Sequence, residues 1–295
     1  MNKSRRMVYV YGLIPAVIWG VSFIATKQAV REIPPSTLGF IRFLIAYLVL
    51  EAVTLIKKEK PVEKISSKEK VVLFFMGFFG VTLYFVGENY GLQHTSSSNG
   101  SLIVSTIPIF TLLAERIIYR RKPSLMMILG VVISFIGIYF LIFGFSFIKE
   151  VNVKGDLVMF VPVFSWVVFT YISKKKQTKL STLSVTKEMT YYGALSFIPF
   201  MLFEMRGGVC LMKISVMTWI SVIYLAVICS SFAYVLWNKA LKEYDEKMVN
   251  SFIYTIPIFT IIAELIISSA MPKISMLISS VLIIVGLFIT HKNSK

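Results

Sequence analysis

The run T-I-P-I-F-T-L-L-A-E at Thr106 to Glu115 returns as T-I-P-I-F-T-I-I-A-E at Thr255 to Glu264, with eight of ten positions identical. The copies lie 149 positions apart in a chain of 295 residues. A chain that writes one half-molecule twice is constrained to build two copies of one unit, so the repeat bounds the architecture before any single element is considered. The same offset carries Asn89 onto Asn238, Leu92 onto Leu241, Pro123 onto Pro272, Met127 onto Met276, Val132 onto Val281 and Gly137 onto Gly286. An offset of 147 carries Pro15 and Trp19 onto Pro162 and Trp166.

Between polar breaks the chain reads as ten apolar runs, at about 8–30, 36–56, 70–92, 97–119, 124–146, 155–173, 182–204, 215–240, 247–270 and 273–291. With 56% hydrophobic residues, 16% charged and a mean hydropathy of +0.76, these runs suit a bilayer, where each span needs about 20 apolar residues. The expected fold is an all-α integral membrane protein of ten transmembrane helices. Its two five-helix repeats divide at residues 1–146 and 147–295. Lys3, Arg5 and Arg6 before the first run resemble the start of a signal peptide. The run is too long for one, contains Pro15 and Gly20, and lacks a small-residue cleavage site, so it reads as an uncleaved first span.

Basic residues set the orientation, because short cytoplasmic loops retain Lys and Arg while acidic residues count for little. With the N-terminus inside, 23 of the 31 basic residues fall on the cytoplasmic side. They are Lys3, Arg5 and Arg6; Lys57, Lys58, Lys60, Lys64, Lys68 and Lys70; Arg116, Arg120, Arg121 and Lys122; Lys174, Lys175, Lys176, Lys179 and Lys187; Lys239, Lys242 and Lys247; Lys292 and Lys295. The outer side keeps Arg31, Lys149, Lys154, Arg206, Lys213 and Lys273. Both termini are therefore expected in the cytoplasm. The net charge of +16 then has a topological origin, and no nucleic-acid partner is expected. Cys210 and Cys229 are too few for a disulfide scaffold or a metal motif. Five spans per repeat is an odd number, so the second repeat starts on the opposite side from the first. Inverted repeats of this kind are a device of secondary transporters, in which one sequence builds both an inner and an outer gate.

The segment Tyr90 to Gly130, with its H-T-S-S-S-N-G-S-L-I-V-S-T-I-P-I-F-T-L-L-A run, resembles the EamA domain of the drug/metabolite transporter (DMT) superfamily. Asn238 to Gly286 is similar, as are the Trp19-Gly20 pair and Arg42-Phe43. The resemblance covers nearly the whole chain as two five-span units. It implies an alternating-access carrier of small metabolites, including amino acids and their derivatives, more often outward than inward. It also implies a bacterial plasma membrane setting, no cofactor and a monomer or homodimer whose partners are a small-molecule substrate and the lipid bilayer. One feature departs from the family pattern: where many members end the fourth span in a Gly-Glu pair, this chain has Arg120-Arg121, and Ser269-Ala270 in the second copy. No role of that pair carries over.

Helical spacing places Pro108, Thr111 and Glu115 near one face, and likewise Pro257, Thr260 and Glu264. Each proline frees upstream carbonyls, which in a bilayer need partners or a wet cavity, so these positions mark an expected pathway between the repeats. Glu115 and Glu264 are candidates for proton coupling or gating, against pairing with Arg116 or an interfacial position. Lys27, Arg42 and Glu88 form a second set near the outer ends of the first three spans. Lys27 or Arg42 could hold a substrate carboxylate while Glu88 and Asn89 take an amino group. The alternatives are a snorkelling Lys27 and an Arg42–Glu88 ion pair that is only structural. Trp19 and Trp166 occupy equivalent sites, and Tyr84, Tyr90, Tyr234 and Trp237 flank Asn89 and Asn238. Together these are the candidate substrate-binding residues, with core packing as the alternative for the aromatic ones. Thr95 to Ser98, Asn99 and Ser101 read as a cap for the fourth span.

Enzyme chemistry finds little support. His94, His291, Asp156 and Asp245 lie at span ends or in loops, and no H-E-x-x-H, G-x-S-x-G or P-loop pattern occurs. A membrane sensor that binds a metabolite without moving it is the rival reading.

Overall fold

The computed structural model describes residues 3–58, 65–118, 120, 124–143, 153–175, 180–206, 214–244, 246–268 and 274–292. Pro123, Pro272, Cys210, Asp245, Arg121, Ser269 and Ala270 lie outside them, as do Lys60, Lys64, Lys122, Lys149, Lys176, Lys179, Lys213, Lys273 and Lys295.

All regular structure among the described residues is helical. In chain order the helices are α1 (Lys3–Ala29), α2 (Pro35–Ile56), α3 (Ser67–His94), α4 (Ser97–Ile118) and α5 (Leu125–Phe143). They continue as α6 (Lys154–Ser173), α7 (Thr182–Met205), α8 (Val216–Glu243), α9 (Met248–Ile267) and α10 (Ile274–Lys292). Seven are long and apolar enough to cross a membrane: α1 from Met7, α2, α3, α4, α6, α8 and α9. Of the expected ten spans, the other three differ. α5 and α10 carry shorter apolar stretches at Ile128–Phe140 and Ile274–Gly286, and α7 interrupts its apolar run with Lys187, Glu188 and Glu204.

Local chemistry explains where the helices start. Ser66, Ser96, Ser181 and Ser215 each accept a backbone N–H three residues on, and Ser66 with Glu69 completes a capping box. Outward-facing side chains such as Leu55, Phe203, Ile117, Val216, Ile266 and Phe288 are exposed. In water so much apolar surface would drive association, whereas in lipid it meets a matching solvent.

Equivalent helices of the two repeats pack against each other in opposite directions. Ser36 and Thr37 at the start of α2 meet Glu204 at the end of α7, while Glu51 toward the end of α2 pairs with Lys187 near the start of α7, 2.8 Å away. α5 and α10 show the same order. Gly137 sits against Ile283, and Gly286 against Ser134 and Gly130, close enough that a β-carbon at Gly286 would lie 2.3 Å from the Ser134 hydroxyl.

Two distortions also repeat. α3 widens to π-helical turns at Phe78–Leu83 and α8 does so at Tyr224–Ala233. A π turn misaligns carbonyls from their usual amide partners, and in both repeats the carbonyl at the same register is taken from elsewhere. The Tyr234 hydroxyl donates to Gly80 O at 2.9 Å, and the Trp19 indole donates to Cys229 O at 3.3 Å. Gly80 and Cys229 are 149 positions apart, so each half supplies a donor to the same carbonyl of the other.

The proline regions repeat as well. α4 breaks at Ser105 and Thr106, and α9 tightens to a 3-10 turn at Ser251–Thr255. Pro108 and Pro257 then sit in the first turn of the resumed helix, where a missing N–H leaves no bond unmade. The kink leaves fewer bare carbonyls facing the pathway than proline spacing alone implies. Ser105 and Thr106 return hydroxyl bonds of 2.6 Å to Leu102 O and Ile103 O, and Thr255 returns one of 2.8 Å to Phe252 O.

Candidate functional site

A cavity lies where the halves meet, lined by Trp19, Ser22 and Phe23 of α1, Arg42 of α2, Tyr84, Phe85 and Glu88 of α3, and Val104 and Ile107 of α4. The other half contributes Trp166 of α6, Tyr234 of α8, and Ile253 and Ile256 of α9. The repeat is written into its walls. Val104 and Ile107 map onto Ile253 and Ile256, Phe85 maps onto Tyr234, and Trp19 maps onto Trp166. The free space is only ≈ 20 Å³, about room for one ordered water. Trp19 sets its ring 5.8 Å from Trp166, 5.5 Å from Tyr234 and 5.0 Å from Trp237, and Tyr84 stands 5.3 Å from Trp166. These contacts hold the chamber narrow.

The charges break the symmetry. Glu88 maps onto Trp237, so the buried acid belongs to the first repeat alone. Arg42 is 1% exposed and Glu88 2% exposed. The Arg42 Nε donates to Ser230 Oγ at 2.6 Å, and its guanidinium lies 4.2 Å from the Phe85 ring centre and 5.3 Å from that of Phe43. Such stacking keeps a guanidinium oriented and partly compensates its lost hydration. Its Nη1 nonetheless has no hydrogen-bond partner, and neither has Glu88 Oε1; the Tyr84 hydroxyl faces the Glu88 carboxylate. The two charged groups share the cavity without making a direct ion pair. Buried polar groups are normally satisfied, so the unpartnered Arg42 and Glu88 atoms at one chamber single it out as the candidate site.

Of the sequence-predicted residues, Trp19, Tyr84, Glu88, Trp166, Tyr234 and Arg42 converge on this chamber, and Trp237 backs it through Trp19. Asn89, Tyr90 and Asn238 are absent from the lining. Asn89 Nδ2 donates to Pro35 O at 2.8 Å, and Asn238 Nδ2 donates to Thr186 Oγ1 at 2.9 Å, so each ties its helix to the start of a neighbour. Tyr90 lies beside Glu204 and Ser36 at the start of α2. Lys27 donates to Leu92 O at 2.6 Å, a cation placed on the carbonyl end of α3. Glu264 accepts from the Ser98 hydroxyl across the repeats. Glu115 stands near the end of α4, partly exposed. Pro108 and Pro257 follow immediately after the lining residues Ile107 and Ile256.

Sequence reasoning missed Ser22, Phe23, Phe85, Val104, Ile107, Ile253, Ile256 and the Arg42 partner Ser230. Four of them were within reach: Val104/Ile107 and Ile253/Ile256 share the repeat offset and precede the paired prolines. Ser230 carried no signal, since one hydroxyl in an apolar helix has no period.

Lipid-exposed apolar helices around a narrow, mostly aromatic chamber that holds one buried arginine and one buried glutamate define an integral membrane protein with a candidate site between two repeats. The EamA-like transporter family matches residues 6–143 and 153–291, and the chain belongs to that family. An "Uncharacterized transporter" of Archaeoglobus fulgidus is 29% identical over 98% of this chain and 98% of its own length. A "Probable amino-acid metabolite efflux pump" of Escherichia coli is 21% identical over 95% of this chain and 93% of its own, and one of Salmonella typhimurium is also 21% identical, over 94% and 92%. A solved crystal structure superposes with a TM-score of 0.69 at 19% identity, over 96% of this chain and 97% of that one, a likeness of fold.

Proposed function

We propose that this chain is a ten-span secondary carrier built as two inverted five-helix repeats, residues 1–146 and 147–295, with both termini in the cytoplasm. It moves a small polar organic solute of the amino-acid kind outward by alternating access. The observation that carries this reading is the chamber between the repeats, with the unpartnered buried groups of Arg42 and Glu88 on one side and aromatic rings around the rest. Opposed packing of α2 with α7 and of α5 with α10 supports the inversion. Outward direction draws on the names of the Escherichia coli and Salmonella typhimurium relatives.

In this reading Arg42 receives the solute carboxylate and Glu88 its ammonium, while Trp19, Tyr84, Trp166 and Tyr234 surround its side chain and Trp237 supports them. Asn89, Tyr90 and Asn238 hold the helices that present these groups. Glu264, through Ser98, and Glu115 at the opposite end act as gates, with Pro108 and Pro257 as the joints beside them and Lys27 as an anchor of the outer end. Rocking of the halves about the α5–α10 contact would expose the chamber to each side in turn.

The test is a thermal-shift screen of the purified protein against amino acids, their derivatives, nucleosides, sugars and organic cations, followed by liposome flux of each stabilising solute. The expected result is a stabilising solute that crosses the vesicle membrane and slows in Arg42→Met. A solute that binds but never crosses, under any imposed gradient, refutes the carrier and leaves a sensor.

A further inference from the structure

Resting on the carrier reading, we infer that Glu88 is an exchange site, holding either a proton or the ammonium of a zwitterionic solute, so that each solute leaves in trade for one proton.

Among the described residues, four ionisable groups surround the Glu88 carboxylate. Arg42 comes from α2, Tyr84 from its own helix, and Tyr234 and Cys229 from α8. Arg42 is the one permanent cation on the lining, and it is committed elsewhere, its Nε on Ser230 and its face on Phe85. Among the described residues it makes no ion pair with Glu88, and Glu88 Oε1 is left without a donor. A carboxylate buried to this degree with one oxygen lacking a donor is unfavourable, and two species can relieve that cost from inside the chamber: a proton on the oxygen, or a bound ammonium. Both use the same atom, so they exclude each other. Arg42 supplies the second half of the discrimination. Its unpartnered Nη1 offers a bond to an anion, while its charge repels a solute that is only a cation.

The cycle balances. With the chamber open inward, a zwitterion brings its ammonium to Glu88 and its carboxylate to Arg42. The proton on Glu88 leaves for cytoplasmic water. With the chamber open outward, the zwitterion departs and Glu88 takes a proton from outside water. One proton moves in for each neutral solute moved out, and one net charge crosses. Coupling thus falls to Glu88 in the chamber, and Glu115 and Glu264 are left with gating.

The probes are L-leucine, L-methionine and L-phenylalanine, with phenethylamine and 3-phenylpropanoate lacking the carboxylate and the amine respectively. Binding to the wild type in weakly buffered solution is expected to release about one proton per L-amino acid bound, and none with 3-phenylpropanoate. In liposomes whose membrane potential is clamped at zero, a gradient of one pH unit is expected to drive about tenfold accumulation, as linked equilibria require. Glu88→Gln is expected to bind the amino acids more weakly, release no proton on binding and lose gradient-driven accumulation, and Glu88→Asp to keep the coupling. Absence of proton release from the wild type with all three amino acids overturns the proposal, and so does a folded Glu88→Gln variant that still accumulates solute from the gradient. Should Glu88→Gln lose all transport, proton release by the wild type and coupling in Glu88→Asp decide. If another solute from the wider screen crosses the membrane while these tests fail, the carrier stands and the exchange site falls. If nothing crosses, the carrier reading itself fails.

Discussion

Gly286→Ala is the substitution that tests the α5–α10 contact most directly. A β-carbon there would lie 2.3 Å from Ser134 Oγ, 2.5 Å from Gly130 O and 2.7 Å from Ser134 N, all inside the 3.0 Å that real β-carbons respect. The Ser134 hydroxyl could rotate away, at the expense of its 3.0 Å bond to Gly130 O, but the two backbone atoms cannot move without the helix. The helices must therefore part by roughly 0.5–1 Å, and a gap of that size forfeits about a quarter to a half of the dispersion energy of each contact across it. Overpacking of this kind costs about 1–3 kcal/mol. At about 2–4 °C per kcal/mol for a chain of this size, the melting temperature in detergent should fall by about 2–12 °C. Gly137→Ala at the equivalent position is the internal control. Its nearest neighbour is the Ile283 side chain at 2.9 Å, with no neighbouring atom nearer than that, so it should lose less. Adding Ser134→Gly to Gly286→Ala should restore only part of the loss, because the Gly130 carbonyl remains. A Gly286→Ala variant as stable as the wild type, or a costlier Gly137→Ala, would refute the close antiparallel packing of α5 and α10.

Glu204→Gln should destabilise by about 1–2 kcal/mol in thermal unfolding, since the carboxylate accepts from Ser36 N at 2.8 Å and Thr37 N at 2.9 Å and caps the start of α2, whereas an amide keeps one uncharged acceptor. Tyr234→Phe should cost about 1–3 kcal/mol by leaving the Gly80 carbonyl of the π turn without its donor, and an unchanged melting temperature would show that the carbonyl finds another. In the loop between α1 and α2, the Glu32 carboxylate is held below its usual range by the Ser215 backbone N–H and then by the Ser215 hydroxyl. A depressed carboxylate contributes fully above its unfolded value of about 4.5 and loses that contribution as pH falls through the lower folded value. The difference in melting temperature between wild type and Glu32→Gln should therefore be constant near neutrality and shrink as pH falls below about 4.5; a difference that grows on acidification contradicts the bond.

Much of the site was legible because it lies on the repeat. Trp19 and Trp166 were found from a shared P-x-x-x-W spacing, and Tyr84 and Tyr234 from their place beside the paired asparagines. The asparagines themselves show where spacing stops. A buried amide reads the same whether it faces a solute or a carbonyl, and only the approach of Pro35 to Asn89 and of Thr186 to Asn238 reveals them as ties between helices. Arg42 and Glu88 were equally ambiguous. Their depth follows from the apolar runs, but whether they neutralise each other depends on rotamers and on Ser230, 188 positions away from Arg42.

Taken alone, the sequence determined the solvent and the twofold repetition, because hydropathy and an offset of 149 are one-dimensional properties. Tertiary structure decided which faces meet. It set α2 against α7 and α5 against α10 in opposite directions, turned α3 and α8 through matching π turns, and left one nitrogen of Arg42 and one oxygen of Glu88 without a hydrogen-bond partner at one chamber. Those outcomes depend on contacts between residues about a hundred positions or more apart, whose energies are set by ångström-scale fit, and no local pattern encodes that fit.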